Sequence, residues 1–569
     1  MNFLKKYRGL LVFGLSITIW LLMTNLATAS SLNQGGMDKF IISGYLLDPQ
    51  GQPIAVAVVE GFEIGGETPL GEAESHEDGS YLLELNTIPA SGLEVHITRA
   101  HYQSQTITLD SDTLNDLETS RVLNLGELTL ERRVTPGFWA AAVIFVAVLA
   151  LIAFELVAST TAALFGFSMV MVMSHVVNIF APSWYIVDFE HALEFINWEV
   201  IFLVMAMMII VAIIERTGIF QWTAFQAYRL SRGRTWLLVL ILMAVTVVAS
   251  ALLDNFTTML LMTPISIQIG LALGINPLAL IIPEVLASNV GGITTLIGTP
   301  TNILIGAYAD IGFTDFLINQ TVGVTVALIL MAAYVLWHYR AEWRKHAGGI
   351  SETLYATLEK NAELKDPGAL WKAGIVFVGV LIGFVLGENF HIVPAVPALI
   401  GATVLLIWLR PDIHSTIQAV DWTTLVFFMA LFIVVGAVQE VGLIGFAAAW
   451  MADVIGDSLP LGIFVIVFGT GTLSILIANI PLAASMLPIV EFLSGSIPGA
   501  NSKVLYYALS MGAAMGGNGT LIGAEANLVT AGITNQADTP ISFLEFLKVG
   551  LPVTFLTLLA GFVWLLIRF

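Results

Sequence analysis

Residues 253–264 read LDNFTTMLLMTP and residues 291–302 read GGITTLIGTPTN; both return later, as IANIPLAASMLP at 477–488 and GGNGTLIGAEAN at 516–527. At a constant offset of 224 residues, Trp198 falls on Trp422, Gly218 on Gly442, Ser250 on Ser474, Asn255 on Asn479 and Pro264 on Pro488. One inserted residue makes the offset 225, and Gly291, Gly292, Thr295, Leu296, Ile297, Gly298 and Asn302 then meet Gly516, Gly517, Thr520, Leu521, Ile522, Gly523 and Asn527. In each copy Gly, Pro and Asn interrupt the same hydrophobic segment. An internal duplication of that kind in a membrane chain points to a secondary transporter and to its binding site.

The membrane assignment follows from composition. With 57% hydrophobic residues, 11% charged residues and a mean hydropathy of +0.87, a soluble chain of 569 residues could not cover its apolar surface. Cysteine is absent, which excludes disulfides and thiolate metal sites. The net charge of −20 is concentrated in residues 38–133, where 17 Asp and Glu stand against 5 Lys and Arg, so the chain lacks the basic character of a nucleic-acid binder. No GxxxxGK[ST] motif is present for ATP-driven pumping, and no nucleophile with a base points to an enzyme. His175, His338 and His391 have no partner spacing for a metal.

Lys5, Lys6 and Arg8 precede an apolar run from Gly9 to Ala29 that ends in Ala27-Thr28-Ala29. Residues 1–30 read either as a cleaved signal or as a retained anchor, and either one puts the adjoining segment outside the cytoplasm. Residues 38–133 alternate apolar and polar positions in short runs (FIISGYLL, AVAVVE, SYLLEL, LEVHITRA, QTITL), which predicts an antiparallel β-sandwich. From Gly137 the pattern predicts transmembrane helices near 137–155, 157–178, 197–215, 319–338, 371–387, 394–409, 420–438 and 549–567. Re-entrant or broken segments are predicted at 236–271, 277–308, 460–495 and 504–530. The domains are thus a β-sandwich at 38–133, a first transport repeat with its leading spans at 137–338, a cytoplasmic linker at 339–370 carrying Arg340, Arg344, Lys345, Lys360 and Lys365, and a second repeat at 371–569.

Positive charge sets orientation. Residues 215–235 hold Arg216, Arg229, Arg232 and Arg234, whereas the matching stretch 439–459 holds no Lys or Arg, only Glu440, Asp453 and Asp457. Because Lys and Arg mark cytoplasmic flanks, the two repeats are expected to lie in opposite senses.

No Lys or Arg occurs between Arg234 and Arg340 or between Arg410 and Lys503, so an anionic substrate would be met by helix N-termini, backbone amides and a co-bound cation. That condition favours sodium coupling. Asp254, Asn255, Thr257 and Thr258 sit where an apolar run breaks and restarts, at the tip of a helical hairpin, with side-chain oxygens suited to sodium or to a carboxylate substrate. Gly292, Thr295, Gly298, Thr299, Pro300 and Asn302 form a second break, and the second copy supplies Asn479, Pro481, Ser485, Asn518, Thr520, Gly523, Ala524, Glu525 and Asn527. Four half-helix ends are expected to converge on one centre. Each residue has a structural reading as well: Gly serves close helix packing, an isolated Ser or Thr bonds back to the preceding turn, and Asp254 caps a half-helix. Glu284 and Glu491 lie near helix ends and are expected to reach the interface.

The text LLDNFTTMLLMTP, SNVGGITTLIGTPTN and GAAMGGNGTLIGAEANLVTAG, ending in SFLEFLKVGLP, resembles the P protein branch of the ion transporter superfamily. That superfamily also holds arsenite permeases, NhaD-type sodium/proton antiporters and divalent anion/sodium symporters. The resemblance covers roughly residues 137–569, and the β domain after the first apolar segment is also similar to the P proteins. SGYLLDPQGQPIAVAVV with EDGSYLLEL looks like the transthyretin-like accessory modules found beside carboxypeptidases. The resemblance to the symporters implies two sodium sites, one at Asn255 with Gly298 and one at Asn479 with Gly523, with Thr299 and Ala524 flanking the substrate. Two positions depart from it. Gly298-Thr299-Pro300-Thr301-Asn302 stands where the P proteins and NhaD-type antiporters usually have GDPPN, and Glu525 stands where a small or neutral residue is expected.

The expected molecule is a polytopic helical membrane protein of two inverted repeats with an extracytoplasmic β-sandwich. Its expected function is ion-coupled transport of a small anion, a di- or tricarboxylate, with sodium or a proton as coupling ion and no other cofactor. A bacterial plasma membrane and, by family analogy, a homodimer are its expected setting. The alternatives are a sodium/proton antiporter or arsenite effluxer on the same scaffold and, from another class, an anion channel or ligand sensor.

Overall fold

The computed structural model describes residues 39–49, 51–89, 91–154, 156–345, 360 and 362–569, in two compact units that divide after Arg133. The proposed signal or anchor at 1–30 and residues 346–359 and 361 of the linker lie outside the described residues.

The first unit holds seven strands: β1 (Phe40–Leu47), β2 (Val58–Glu63), β3 (Pro69–Glu74), β4 (Ser80–Leu85), β5 (Leu93–Thr98), β6 (Gln105–Leu109) and β7 (Val122–Thr129), with helix α1 (Ser111–Ser120) between the last two. One sheet runs β4-β1-β7 and the other β3-β2-β5-β6. Alternation is clean in SYLLEL, where Tyr81, Leu83 and Leu85 are buried while Leu82 and Glu84 face out. Ile42, Leu46, Val59, Leu93, Val95 and Ile97 complete the core. One pairing departs from the antiparallel expectation: β1 and β7 are parallel. The chain leaves β6 in one sheet, passes through α1 and enters the other, and such a crossover can bring a strand in parallel where a tight hairpin cannot.

The second unit is helical. Its first ten helices are α2 (Pro136–Ala153), α3 (Ser159–Phe180), α4 (Phe189–Glu194), α5 (Trp198–Glu215), α6 (Ile219–Ser231), α7 (Thr235–Leu252), α8 (Asn255–Leu273), α9 (Leu278–Gly292), α10 (Pro300–Ala309) and α11 (Phe313–Lys345). The next ten repeat the order: α12 (Pro367–Gly387), α13 (Ala395–Leu409), α14 (Ile413–Gln418), α15 (Trp422–Glu440), α16 (Leu443–Ile455), α17 (Leu459–Ser474), α18 (Asn479–Ser496), α19 (Val504–Gly516), α20 (Glu525–Gln536) and α21 (Phe543–Arg568). Among the described residues nine helices are long and apolar enough to cross a membrane: α2, α3, α5, α7, α8, α11, α12, α15 and α21.

Packing reflects the duplication. α7 lies against α9 as α17 lies against α19, and α11 packs on its own counterpart α21. The leading helices are exchanged, with α2 and α3 on α15 and α12 and α13 on α5. So are the segments after the breaks, with α8 on α20 and α18 on α10. Each of these contacts between different positions thus has its counterpart in the other half.

Candidate transport site

Both broken helices are visible. α9 stops at Gly292 and α10 starts at Pro300, while α19 stops at Gly516 and α20 starts at Glu525. Pro suits the first position of a helix because no N–H is needed there. The chain crosses itself closely at each break: a Cβ on Gly292 would overlap the Gly298 carbonyl oxygen, and one on Gly523 would lie 2.6 Å from that of Gly517. Glycine at these four positions is therefore a steric requirement.

The Asn that recurs in both breaks holds each one open. Asn302 Nδ2 donates to the carbonyls of Ile293 (3.0 Å) and Thr295 (2.8 Å), and Asn527 Nδ2 donates to those of Gly517 and Thr520, both at 2.8 Å. Thr295 Oγ1 donates to the Ala251 carbonyl, and Thr520 Oγ1 donates to that of Ile475 at 2.5 Å. These bonds satisfy carbonyls that an interrupted helix leaves bare in an apolar environment.

At the hairpin tip, Asp254 is the N-cap of α8. Its Oδ1 accepts from Thr257 N at 2.7 Å and its Oδ2 from Thr257 Oγ1 at 2.8 Å, while Thr258 Oγ1 donates to the Asp254 carbonyl at 2.6 Å. Its backbone stands at φ +138° and ψ 162°, a region populated almost only by glycine, which for a side-chain-bearing residue costs of the order of 1–3 kcal/mol. Ala478, the matching residue in the second half, has an ordinary extended backbone and no cap.

Four buried amides join the breaks. Asn255 Nδ2 donates to Asn289 Oδ1 at 2.8 Å, and Asn289 Nδ2 donates to Asn518 Oδ1 at 2.8 Å and to Asn527 Oδ1 at 2.9 Å. Asn518 Nδ2 ends the chain on the Leu286 carbonyl at 3.1 Å. Asn289 is absent from the sequence-derived set. Its counterpart is Ala514, so matching the two halves passes over it.

Asp254, Pro300 and Glu525 line one cavity of about 20 Å³ together with Thr424, Leu253, Phe256 and Ile297, room for a single water or small ion. Thr424 Oγ1 donates at 2.6 Å to Asp421, which caps α15. Thr299 and Thr301 beside this opening are buried, with hydroxyls that find no partner among the described residues. The second break offers Ala524 in place of Thr299 and supplies no such hydroxyl.

Other expected residues lie apart from this cavity. Asn479 is buried with no side-chain hydrogen bond among the described residues, and Pro481 accepts through its carbonyl from Ser485 Oγ at 2.6 Å, a bond within α18. Glu284 corrects the sequence expectation. It does not reach an interface but is wholly buried, because α9 is enclosed along its entire length. Glu491 accepts from the Tyr308 hydroxyl.

Residues 149–512 match the family model described as citrate transporter. An uncharacterised transporter of Mycobacterium tuberculosis is 36% identical over 430 residues, covering 75% of this chain and 98% of its own. The human P protein is 32% identical over 505 residues, covering 75% of this chain and 59% of the longer human protein. The YdaH transporter of Alcanivorax borkumensis, at 14% identity, is matched over 76% of this chain and 98% of its own with a TM-score of 0.47. The chain belongs to the citrate transporter family within the ion transporter superfamily and is a multi-pass membrane transporter.

Proposed function

We propose that this transporter is an ion-coupled carrier of a small anion, a di- or tricarboxylate such as the citrate of the family's description, driven by sodium or protons. The observation that carries the reading is the cavity shared by Asp254, Glu525 and the start of α10. Two carboxylates face one small space in segments without Lys or Arg, so positive charge has to arrive from solution, as a coupling ion would bring it. The half-helix starts at Pro300 and Glu525 then offer backbone N–H groups to the substrate. The sodium ligands proposed are Asn255 with Gly298 and Asn479 with Gly523, and Thr299 and Ala524 are proposed to flank the anion. The same pair of acids favours a second reading, a sodium/proton antiporter, in which no organic substrate is needed.

Uptake of a labelled carboxylate panel into proteoliposomes with imposed sodium or proton gradients separates the two. Saturable, gradient-driven uptake of a carboxylate is the expected result. Proton movement driven by sodium alone, with no carboxylate taken up, would select the antiporter.

The proposed architecture is an inverted pair in a bacterial plasma membrane, homodimeric, with the β unit extracytoplasmic. The arginine asymmetry between 215–235 and 439–459 supports the inversion. A cysteine at Gln221 on α6 is expected to react with impermeant thiol reagents only from the cytoplasmic side, and one at Ala452 on α16 only from outside. Reaction of both from the same side would exclude inversion.

A further inference from the structure

Glu284 sits midway along α9, whose residues from Leu278 to Gly292 are all buried, and is itself 0% exposed. Among the described residues its only partner is Ser266 on α8, whose Oγ lies 2.8 Å from one carboxyl oxygen and 2.9 Å from the other. A serine hydroxyl has a single hydrogen. It can be donated to one oxygen, and the second close contact is satisfied when the carboxyl carries its own hydrogen and donates it back to Oγ. An ionised carboxylate at this place would be a buried charge held by one neutral donor, an arrangement that proteins avoid.

Among the described side chains no neighbouring element supplies a counter-charge. α7 and α8, which pack on α9, contain no titratable residue. α19 brings Tyr506 and Tyr507, the latter bonded to Asn319, and α20 brings Glu525, which lies on the Asp254 cavity. α11 carries Asp315, Tyr334, His338, Tyr339, Arg340 and Glu342 among its described side chains, and α21 carries Glu545, Lys548 and Arg568. None of these bonds to Glu284.

We propose that Glu284 is a proton-binding site at the seam between α8 and α9, and that its proton is taken up and released as the transporter changes state. The seam is clamped at two levels. Ser266 meets Glu284 at one, while Ser288 Oγ donates to the Asn255 carbonyl at 3.3 Å and Asn289 accepts from the Asn255 amide at the other. Release turns the carboxylic acid into a carboxylate and hands its proton to water. The charge left behind cannot remain in an apolar seam, so release and separation of α8 from α9 are linked, next to the hairpin tip that carries Asp254. The inference rests on the reading of the chain as a coupled carrier and adds a proton to whatever ion the Asp254–Glu525 cavity takes.

The test uses the purified full-length chain and Glu284→Gln, which keeps the size and one donor of the acid form. The folded state holds a proton that an unfolded carboxyl gives up above about pH 4.3. The unfolded state then binds fewer protons, so wild-type melting temperature is expected to fall as pH rises, and Glu284→Gln is expected to lose that slope. Equal slopes in the two proteins would overturn the proton site. In proteoliposomes holding a trapped pH dye, with labelled citrate as probe, wild-type uptake is expected to move protons. Glu284→Gln is expected to keep citrate exchange between equal pools and lose the proton movement. Citrate uptake without protons in the wild type, or with undiminished protons in the variant, would overturn the release step. If no carboxylate moves at all, the substrate reading fails, while the melting slopes still decide the proton. Should Glu284→Gln not fold, Ser266→Ala removes the Ser266 donor to the carboxylate and is expected to carry the wild-type pH transition to higher pH; an unmoved transition would overturn the site.

Discussion

Asp254→Asn and Glu525→Gln are expected to leave a folded transporter whose uptake no longer responds normally to the driving ion. Both substitutions keep side-chain size and remove one negative charge from the cavity the two residues share. The asparagine retains an oxygen for Thr257 N, the bond now 2.7 Å long, so most of the helix cap survives. What disappears is the charge that draws a cation into a space without Lys or Arg. Coupling free energies between two ligands run to about 1–3 kcal/mol, so ion activation is expected to weaken by roughly 5–150-fold in each variant. The double variant should be little worse than either single one, because one ion answers to both charges and removal of either breaks the same interaction. A merely structural role gives another pattern. Loss of a cap costs about 1 kcal/mol of stability and leaves ion dependence as it was. Titration of uptake against sodium and against pH, beside a thermal melt, distinguishes the two, and intact ion activation with lowered melting in both variants would remove these carboxylates from the mechanism.

The two acids are also where the halves differ most usefully. Asp254 faces Ala478 in the alignment of the repeats, and Glu525 faces Pro300. Each half gives one carboxylate at a position where the other has none, and the exchange of α8 onto α20 brings them to the same cavity. The backbone shows the same asymmetry, since Asp254 stands at φ +138° while its counterpart Ala478 is ordinary extended backbone. A symmetric pair of breaks could hold an ion or a half-helix start at either end, whereas this cavity draws one carboxylate from each half.

Much of this was legible in the sequence because duplication supplies its own alignment. Asn302 and Asn527 recur at one offset and make the same bonds to the carbonyls of their breaks, and Thr295 and Thr520 do likewise. The helices at Trp198 and Trp422 follow from uninterrupted apolar runs of spanning length. What stayed hidden lies where the repeats disagree. Asn289, facing Ala514, reads as a lone polar residue in an apolar helix, and only the packing of α9 against α19 and α20 shows it to be the hub of the amides. Glu284 lies in the middle of a helix enclosed along its whole length, which its apolar sequence neighbours do not reveal. In the β unit the parallel β1–β7 pair was hidden because alternation reports which face is buried and not the direction of the neighbour.

Asn289→Ala is expected to cost more stability than Asn518→Ala or Asn479→Ala. Three hydrogen bonds vanish together, leaving the Asn255 donor and one acceptor each on Asn518 and Asn527 without the partner they had. All four residues are at most 4% exposed, so water does not readily replace the lost amide. An orphaned buried polar group costs about 1–3 kcal/mol, and partial relaxation of three of them still leaves roughly 3 kcal/mol or more. Asn518→Ala breaks a smaller part, its acceptor for Asn289 and its donor to Leu286. Because the two residues bond to each other across the halves, the double variant should be less unstable than the sum, with an interaction energy of about 0.5–3 kcal/mol. Asn479→Ala is the control: the residue is equally buried but outside this chain of amides, and its loss should cost the least of the three. Denaturation of the purified full-length chain in detergent measures all four proteins. Additive losses for Asn289 and Asn518, or a melt for Asn289→Ala no lower than that for Asn479→Ala, would show that the amides do not act as one connection between the two halves.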